Sequence, residues 1–350
     1  MSAVINLRSD TQTLPTEHMR RALAEADLGD ETYGEDPTVA RLEAVAAERF
    51  GKEAALLVIS GTMANLVALM THCRPSDEVF MDREAHVLWY ESGGLASVAG
   101  VVPTIVASER GHILPDALAA AIRPGNVHYP TARLVWLENT HNRGGGSVMP
   151  LEQQRAVEQV ARDHDLPVHL DGARVFNAAI AQGVPAAELA EGVDSLIVDL
   201  SKGLSCPLGA LVVGDRAFIE EARFRKRILG GGMRQAGVIA ACGLVAFDEL
   251  IDRLGEDHAR ARRLAEGLAS VHGIGVDLDS VETNMVYADV SALGASKDVV
   301  AVLRAAGVLV SDRPPDHIRF VTHLQISDAD VDETLRRVAG AADRLSGERH

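Results

Sequence analysis

Short apolar or β-branched runs bounded by turn residues recur along the first two thirds of the chain. They are "AALLVIS" (54–60), "EVFM" (78–81), "VVPTIVA" (101–107), "RLVWLE" (133–138), "PVHLD" (167–171), "SLIVDLS" (195–201) and "ALVVG" (210–214). Each has the length of a strand rather than of a helix. Between them lie stretches with helical spacing, such as "PLEQQRAVEQVARDHD", in which Val157, Val160 and Ala161 share a face and Pro150 suits the first turn. Strand and helix alternating in this way predict an α/β fold: a mostly parallel sheet with helices on both faces, over roughly residues 50–250.

From about Leu254 the pattern changes. "GEDHARARRLAEGLASVHG" predicts an Arg-rich amphipathic helix, and strand-like "TNMVYADV", "VLVSD" and "IRFVTH" follow, with "KDVVAVLRAAG" and "SDADVDETLRRVAGAADRL" as helices. The expected organisation is an N-terminal segment, 1–30, contributing to the site, a large domain, 31–250, and a smaller α+β domain, 251–350. The polar pieces "RSDTQT" and "GDETYGEDPT" read as loops in or near a site.

Composition narrows the partners. A net charge of −16 would repel nucleic acid and acidic membrane surfaces, so the expected ligand is a small molecule. No apolar run approaches the ~18 residues of a membrane span, and "MSAVINLRSDTQ" reaches Arg8 before a signal-peptide core could form. Cys73, Cys206 and Cys242 form no metal or disulfide pattern, which suits a reducing compartment and points to the cytoplasm.

Of the 34 basic residues only four are lysine: Lys52, Lys202, Lys226 and Lys297. Three stand in contexts that read as solvated: "FGKEAA", the basic run "RFRKRIL" and the polar helix start "GASKDVV". Lys202 instead ends an apolar run and precedes glycine, serine and proline. Ligands of doubly wound sheets bind beyond the carboxyl ends of the strands. The residues there are Glu138, Asn139, His141 and Asn142, then Asp171 and Arg174, then Ser201 and Lys202.

A carboxylate and a lysine at neighbouring strand ends suit an enzyme that holds pyridoxal phosphate between them. Lys202 offers the amine for a Schiff base, and Asp171 a carboxylate to face the pyridine nitrogen. "ISGTMANLVALM" supplies a strand, Ser60-Gly61-Thr62 and a helix whose N-terminus can receive the phosphate, with Gly61 for close approach and Thr62 for its hydroxyl. Ser201, next to the lysine, and Arg174 are further candidates to bind the cofactor. His86 can stack on the ring and relay protons. Taken singly, Asp171 could cap a turn, Gly61-Thr62 could be an ordinary helix start and His86 a structural histidine; the combination is stronger than its parts. The glycine triplets 144–146 and 230–232 lack the dinucleotide spacing. The second, among Arg225, Lys226, Arg227 and Arg234, reads either as cations for a phosphate, including that of a neighbouring subunit, or as a turn beside a solvated basic face.

The set "LRSDTQT", "GDETYGEDPTV", "SGTMANL", "AHVLWYESGG", "LENTHN", "HLDGARVFNAA", "SKGLSCPLGA", "LGGGMRQAG" and "RFVTH", running from Leu7 to His323, resembles the low-specificity L-threonine aldolases. These belong to the β-eliminating-lyase group of fold type I pyridoxal-phosphate enzymes, with an aspartate-aminotransferase-like large domain. The resemblance implies retro-aldol cleavage of L-threonine, L-allo-threonine and related β-hydroxy-α-amino acids to glycine and an aldehyde. It implies Lys202, Asp171, His86, Gly61 and Thr62 in the cofactor roles above, and Ser9, Arg174 and Arg319 on the substrate carboxylate. His86 and His128 are both candidates for the substrate hydroxyl, and Tyr33 is a further substrate-binding candidate, on a loop that resembles one reaching across a subunit interface of a homotetramer. Cys206 and Leu208 depart from the family pattern, as does the glycine-rich stretch after Asn142. An aminotransferase, racemase or other β-eliminating lyase with the same lysine and aspartate is the alternative. The choice between threo and allo substrates, the base, and a structural cation near the N-terminal threonines stay open.

Overall fold

The computed structural model describes residues 4–347. Residues 15–144 and 148–251 form one unit, and residues 4–14, 145–147 and 252–347 form another. The N-terminal thirty residues are therefore divided between them. Ile5–Asn6 pairs in parallel with Val308–Leu309, whereas the helix Glu17–Glu25 buries Met19 and packs on the helix Gly237–Glu249.

The larger unit is built on seven strands: β1 (Ala54–Val58), β2 (Glu78–Asp82), β3 (Val102–Val106), β4 (Ala132–Glu138), β5 (Val168–Asp171), β6 (Ser195–Asp199) and β7 (Ala210–Gly214). Their order in the sheet is β1-β7-β6-β5-β4-β2-β3. Five strands, β2 to β6, run parallel, and those inside the sheet are largely buried and mostly apolar because helices cover both faces. β7 is antiparallel to both neighbours. Only residues 200–209 join it to β6, too few for the crossover a parallel connection needs. β3 lies at an edge, with Val102 and Ile105 exposed, and tolerates Pro103 for that reason.

The helix α1 (Gly61–His72) starts where Ser60 Oγ accepts from the Met63 amide at 3.2 Å. It buries Ala64, Asn65, Val67, Ala68 and Leu69 and stops before Arg74-Pro75, because the residue before proline resists helical backbone. The smaller unit has an antiparallel sheet with His317–Val321 between Met285–Asp289 and Ser311–Arg313. The helices Leu254–Ala269, Ser296–Ala305 and Asp328–Gly347 enclose its core around Leu7, Leu264, Val286, Phe320 and Val331. Among the described residues no helix is long and apolar enough to cross a membrane.

Candidate active site

Four adjacent parallel strands end in a carboxylate: Asp82 on β2, Glu138 on β4, Asp171 on β5 and Asp199 on β6. Glu138 and Asp171 stand directly opposite each other in the β4–β5 register. A polar residue closing an apolar strand puts its side chain at the strand's carboxyl end, where a ligand can reach it. So many buried carboxylates need positive partners nearby.

Lys202 is one such partner. Its Nζ lies 3.0 Å from Asp199 Oδ2, and Asp199 Oδ1 accepts from the amide and hydroxyl of Ser201 at 2.8 and 2.7 Å. The aspartate thus anchors the turn that carries the lysine. Gly61 is needed beside it, since a Cβ there would come within 2.9 Å of the same Oδ2.

Asp171 is buried. Its Oδ1 accepts from the Ala173 amide at 3.1 Å and its Oδ2 from Asn65 Nδ2 at 3.0 Å. Burial, and then the neighbouring Glu138 charge, push its pKa up to about 6, while the Lys202 and His86 charges pull it back. A carboxylate offers about four acceptor sites, so capacity remains for a further N–H donor. A cationic heterocycle meeting this aspartate would relieve the electrostatic cost of keeping it ionised. The residues present therefore fit a protonated pyridine ring, with Lys202 close enough to share its field.

His86 donates its backbone N–H to Glu138 Oε2 at 2.8 Å, and its Nδ1 lies 2.9 Å from Glu91 Oε1. Burial alone would lower the ring's pKa, but the Glu91 bond and the charges of Asp171, Glu138 and Glu91 outweigh it and raise it. His141 is buried with Nε2 at 3.1 Å from Asp82 Oδ2, and its Nδ1 accepts from the Gly144 amide at 2.9 Å. Its pKa is also raised, with burial opposed chiefly by Glu138 and Asp82.

The other expected residues have different settings. Thr62 is exposed in the first turn of α1. Arg174 is buried at the start of the helix Val175–Gln182. Ser9 and Arg319 belong to the smaller unit, where Ser9 Oγ accepts from the Thr11 amide and Arg319 Nη2 donates to the Arg8 carbonyl at 3.1 Å. His128 is exposed in the loop before β4 and takes no part in the buried network around His86. Tyr33 is 76% exposed, and Arg234 Nη1 reaches Asp30 Oδ2 at 3.2 Å on the surface. No group of three His, Cys, Asp or Glu side chains among the described residues is arranged to hold a metal.

Two lysines differ from expectation. Lys226 is buried rather than solvated, with Nζ 2.7 Å from Glu31 Oε1. It falls seven residues after Ile219 and four after Ala222, on the buried stripe of the helix Arg216–Ile228, a periodicity that the flanking arginines conceal. Lys52 is half-buried and donates to the Val193 carbonyl at 2.6 Å. Lys297 is exposed.

Four members of the site were not singled out from sequence: Asp82, Asp199, Asn65 and Glu91. Asp199 carries the same signal as Asp171, a carboxylate closing an apolar strand. Asn65 stands four residues after Gly61, on the same helix face. Glu91, five residues after His86 in an irregular turn, carries no periodic signal.

Comparison with known proteins places the chain in a family. The family described as beta-eliminating lyase matches residues 6–291. A probable low-specificity L-threonine aldolase 2 of Arabidopsis thaliana is 44% identical over 338 residues, covering 95% of each chain. Among solved structures, a Leishmania major threonine aldolase superposes with a TM-score of 0.83 at 19% identity, covering 97% of this chain and 99% of that one. An aspartate aminotransferase of Rhizobium meliloti gives 0.70 at 18% identity, covering 98% and 92%. At those identities the two structures show the shared fold.

Proposed function

The chain belongs to the beta-eliminating lyase family, among the low-specificity L-threonine aldolases, which cleave threonine to glycine and an aldehyde, and on that premise we propose which residues carry each part of the reaction. When bound, pyridoxal phosphate supplies an aldehyde that joins an amine and a ring that draws off the electrons of a breaking bond. Lys202 is the amine that holds it in the resting enzyme. Asp171 keeps a proton at the ring nitrogen, and Gly61, Thr62, Ser201 and Arg234 bind the phosphate.

The observation that carries the reading is the pairing of Asp171 with Lys202: a buried carboxylate at one strand end, within the field of a lysine just past the next. His86 is assigned to the ring face, where its imidazole can move a proton. His86 and His128 are assigned to the substrate hydroxyl, and the hydrogen bond from His86 to Glu91 favours His86 as the group that takes its proton. Arg174 is assigned to the substrate carboxylate, and the same role is given to Ser9 and Arg319 on the family resemblance. L-allo-threonine and related β-hydroxy-α-amino acids are taken as further substrates. A homotetramer in the cytoplasm completes the proposal; the exposed Tyr33, Trp89 and Phe224 support assembly, and three buried free cysteines suit a reducing compartment.

The test is acetaldehyde release from L-threonine and L-allo-threonine, wild type beside Lys202→Ala. The variant is expected to stay folded, lose the visible cofactor band and fall to background. Turnover by Lys202→Ala at the wild-type rate would overturn the assignment.

A further inference from the structure

One carboxylate oxygen gathers the groups assigned above to the ring. Glu91 Oε1 lies 2.9 Å from His86 Nδ1 and 2.7 Å from Asn65 Nδ2, and the same Asn65 nitrogen reaches Asp171 Oδ2 at 3.0 Å. An amide carries two N–H groups, so Asn65 can serve both carboxylates at once. The Glu91 side chain is wholly out of solvent, and its Oε2 has no hydrogen-bond partner among the described residues. A buried carboxylate is costly unless it is paired and hydrogen-bonded, and Glu91 has His86 and Asn65 for that on its one bonded oxygen.

An ionised carboxylate can only accept. Facing the Glu91 carboxylate, the neutral His86 ring carries its one proton on Nδ1, which leaves the Nε2 lone pair available. A general base needs that lone pair. The orienting carboxylate holds the imidazole in one tautomer and stabilises the imidazolium formed when the substrate's hydroxyl proton arrives at Nε2. The same proton leaves again to the product carbon or to water, so the residue returns unchanged.

We propose that Glu91 is a positioning residue for the lyase reaction: it fixes the His86 proton on Nδ1 and, through Asn65, holds the Asp171 carboxylate in a set position relative to His86. The inference rests on the roles given above to His86 and Asp171. It adds a group that touches neither substrate nor cofactor but decides what both residues present to them. The arrangement has two separable arms, Glu91 to His86 and Glu91 through Asn65 to Asp171.

Neutron crystallography of the cofactor-loaded wild type reads the first arm directly, without turnover. A deuteron on His86 Nδ1, directed at Glu91, is the expected result, and its absence from Nδ1 would overturn the proposal. Glu91→Gln keeps the volume and removes the charge. It is expected to lower kcat for L-threonine by about 10- to 100-fold, the usual range for losing an orienting partner, with KM changed less than about threefold. It should also displace the pH titration of the cofactor's visible band. Asn65→Ser cuts only the second arm, and should displace that titration while the His86 deuteron stays on Nδ1. An unchanged kcat and band titration in a folded Glu91→Gln would also overturn the proposal. If that variant does not fold, the wild-type deuteron position still decides. Lys202→Ala tests the functional reading separately, so either can fail while the other stands.

Discussion

Lys226 Nζ and Glu31 Oε1 are 2.7 Å apart with almost no solvent on either side chain, joining the loop before Pro37 to the helix Arg216–Ile228. Glu31 also has Arg223 at 3.8 Å, and Arg223 reaches Glu43 at 2.7 Å. Burial lowers the lysine's pKa, and the hydrogen bond and charge of Glu31 resist the shift. Losing the lysine leaves the buried Glu31 charge with only the more distant Arg223 to compensate it. Lys226→Met is therefore expected to cost about 3–5 kcal/mol, and the double variant Lys226→Met with Glu31→Leu to recover much of it. Urea unfolding of the three proteins measures both. Equal stability of the single variant and wild type would mean that the pair is not buried as described.

The environment of Asp171 makes stability depend on pH. Its folded pKa of about 6 lies above the ordinary aspartate value of 3.8, so the folded chain binds more protons between those values. The contribution is fully present below the unfolded pKa and is lost as pH rises through about 6. In cofactor-free protein this amounts to on the order of 2–3 kcal/mol. Asp171→Asn should remove this pH-dependent component between pH 4 and 7, whatever constant offset its amide introduces. The urea midpoint followed across that range is the measurement, and an identical slope in the variant would refute the assignment.

Gly61 is where the backbone comes close to the lysine's partner. A methyl group at this position would meet Asp199 Oδ2 at 2.9 Å, the oxygen that lies 3.0 Å from Lys202 Nζ. Since Asp199 Oδ1 is held by Ser201, the carboxylate cannot turn away freely. Gly61→Ala is expected to weaken pyridoxal phosphate binding by about tenfold or more, the effect of disturbing one hydrogen bond to a charged group, while the fold persists. Cofactor titration monitored by absorbance, beside a thermal melt, checks both halves.

Much of the sheet was legible because period and length are local properties. The runs ending at Glu138, Asp171 and Asp199 are mostly apolar before their last residue, and the carboxylate that closes each one marks the strand's carboxyl end. The antiparallel course of β7 was also written in the chain, in the shortness of residues 200–209, although composition alone does not draw attention to it. The four lysines were informative as a set, yet Lys226 was misread, because its arginine neighbours suggest a solvated face and only the register of the helix shows otherwise.

The sequence by itself determined the α/β alternation, the strand ends that carry Asp171 and Lys202, and the family to which the chain belongs, because each depends on residue types at short separations. Only the tertiary structure decided that Asn65, Glu91 and His86 converge beside Asp171, that Asp199 holds Lys202, and that Glu31 neutralises Lys226 across 195 positions of chain. Such pairings follow from strand order and helix register, which no local pattern encodes, and they are enforced by the cost of leaving a buried charge unpaired.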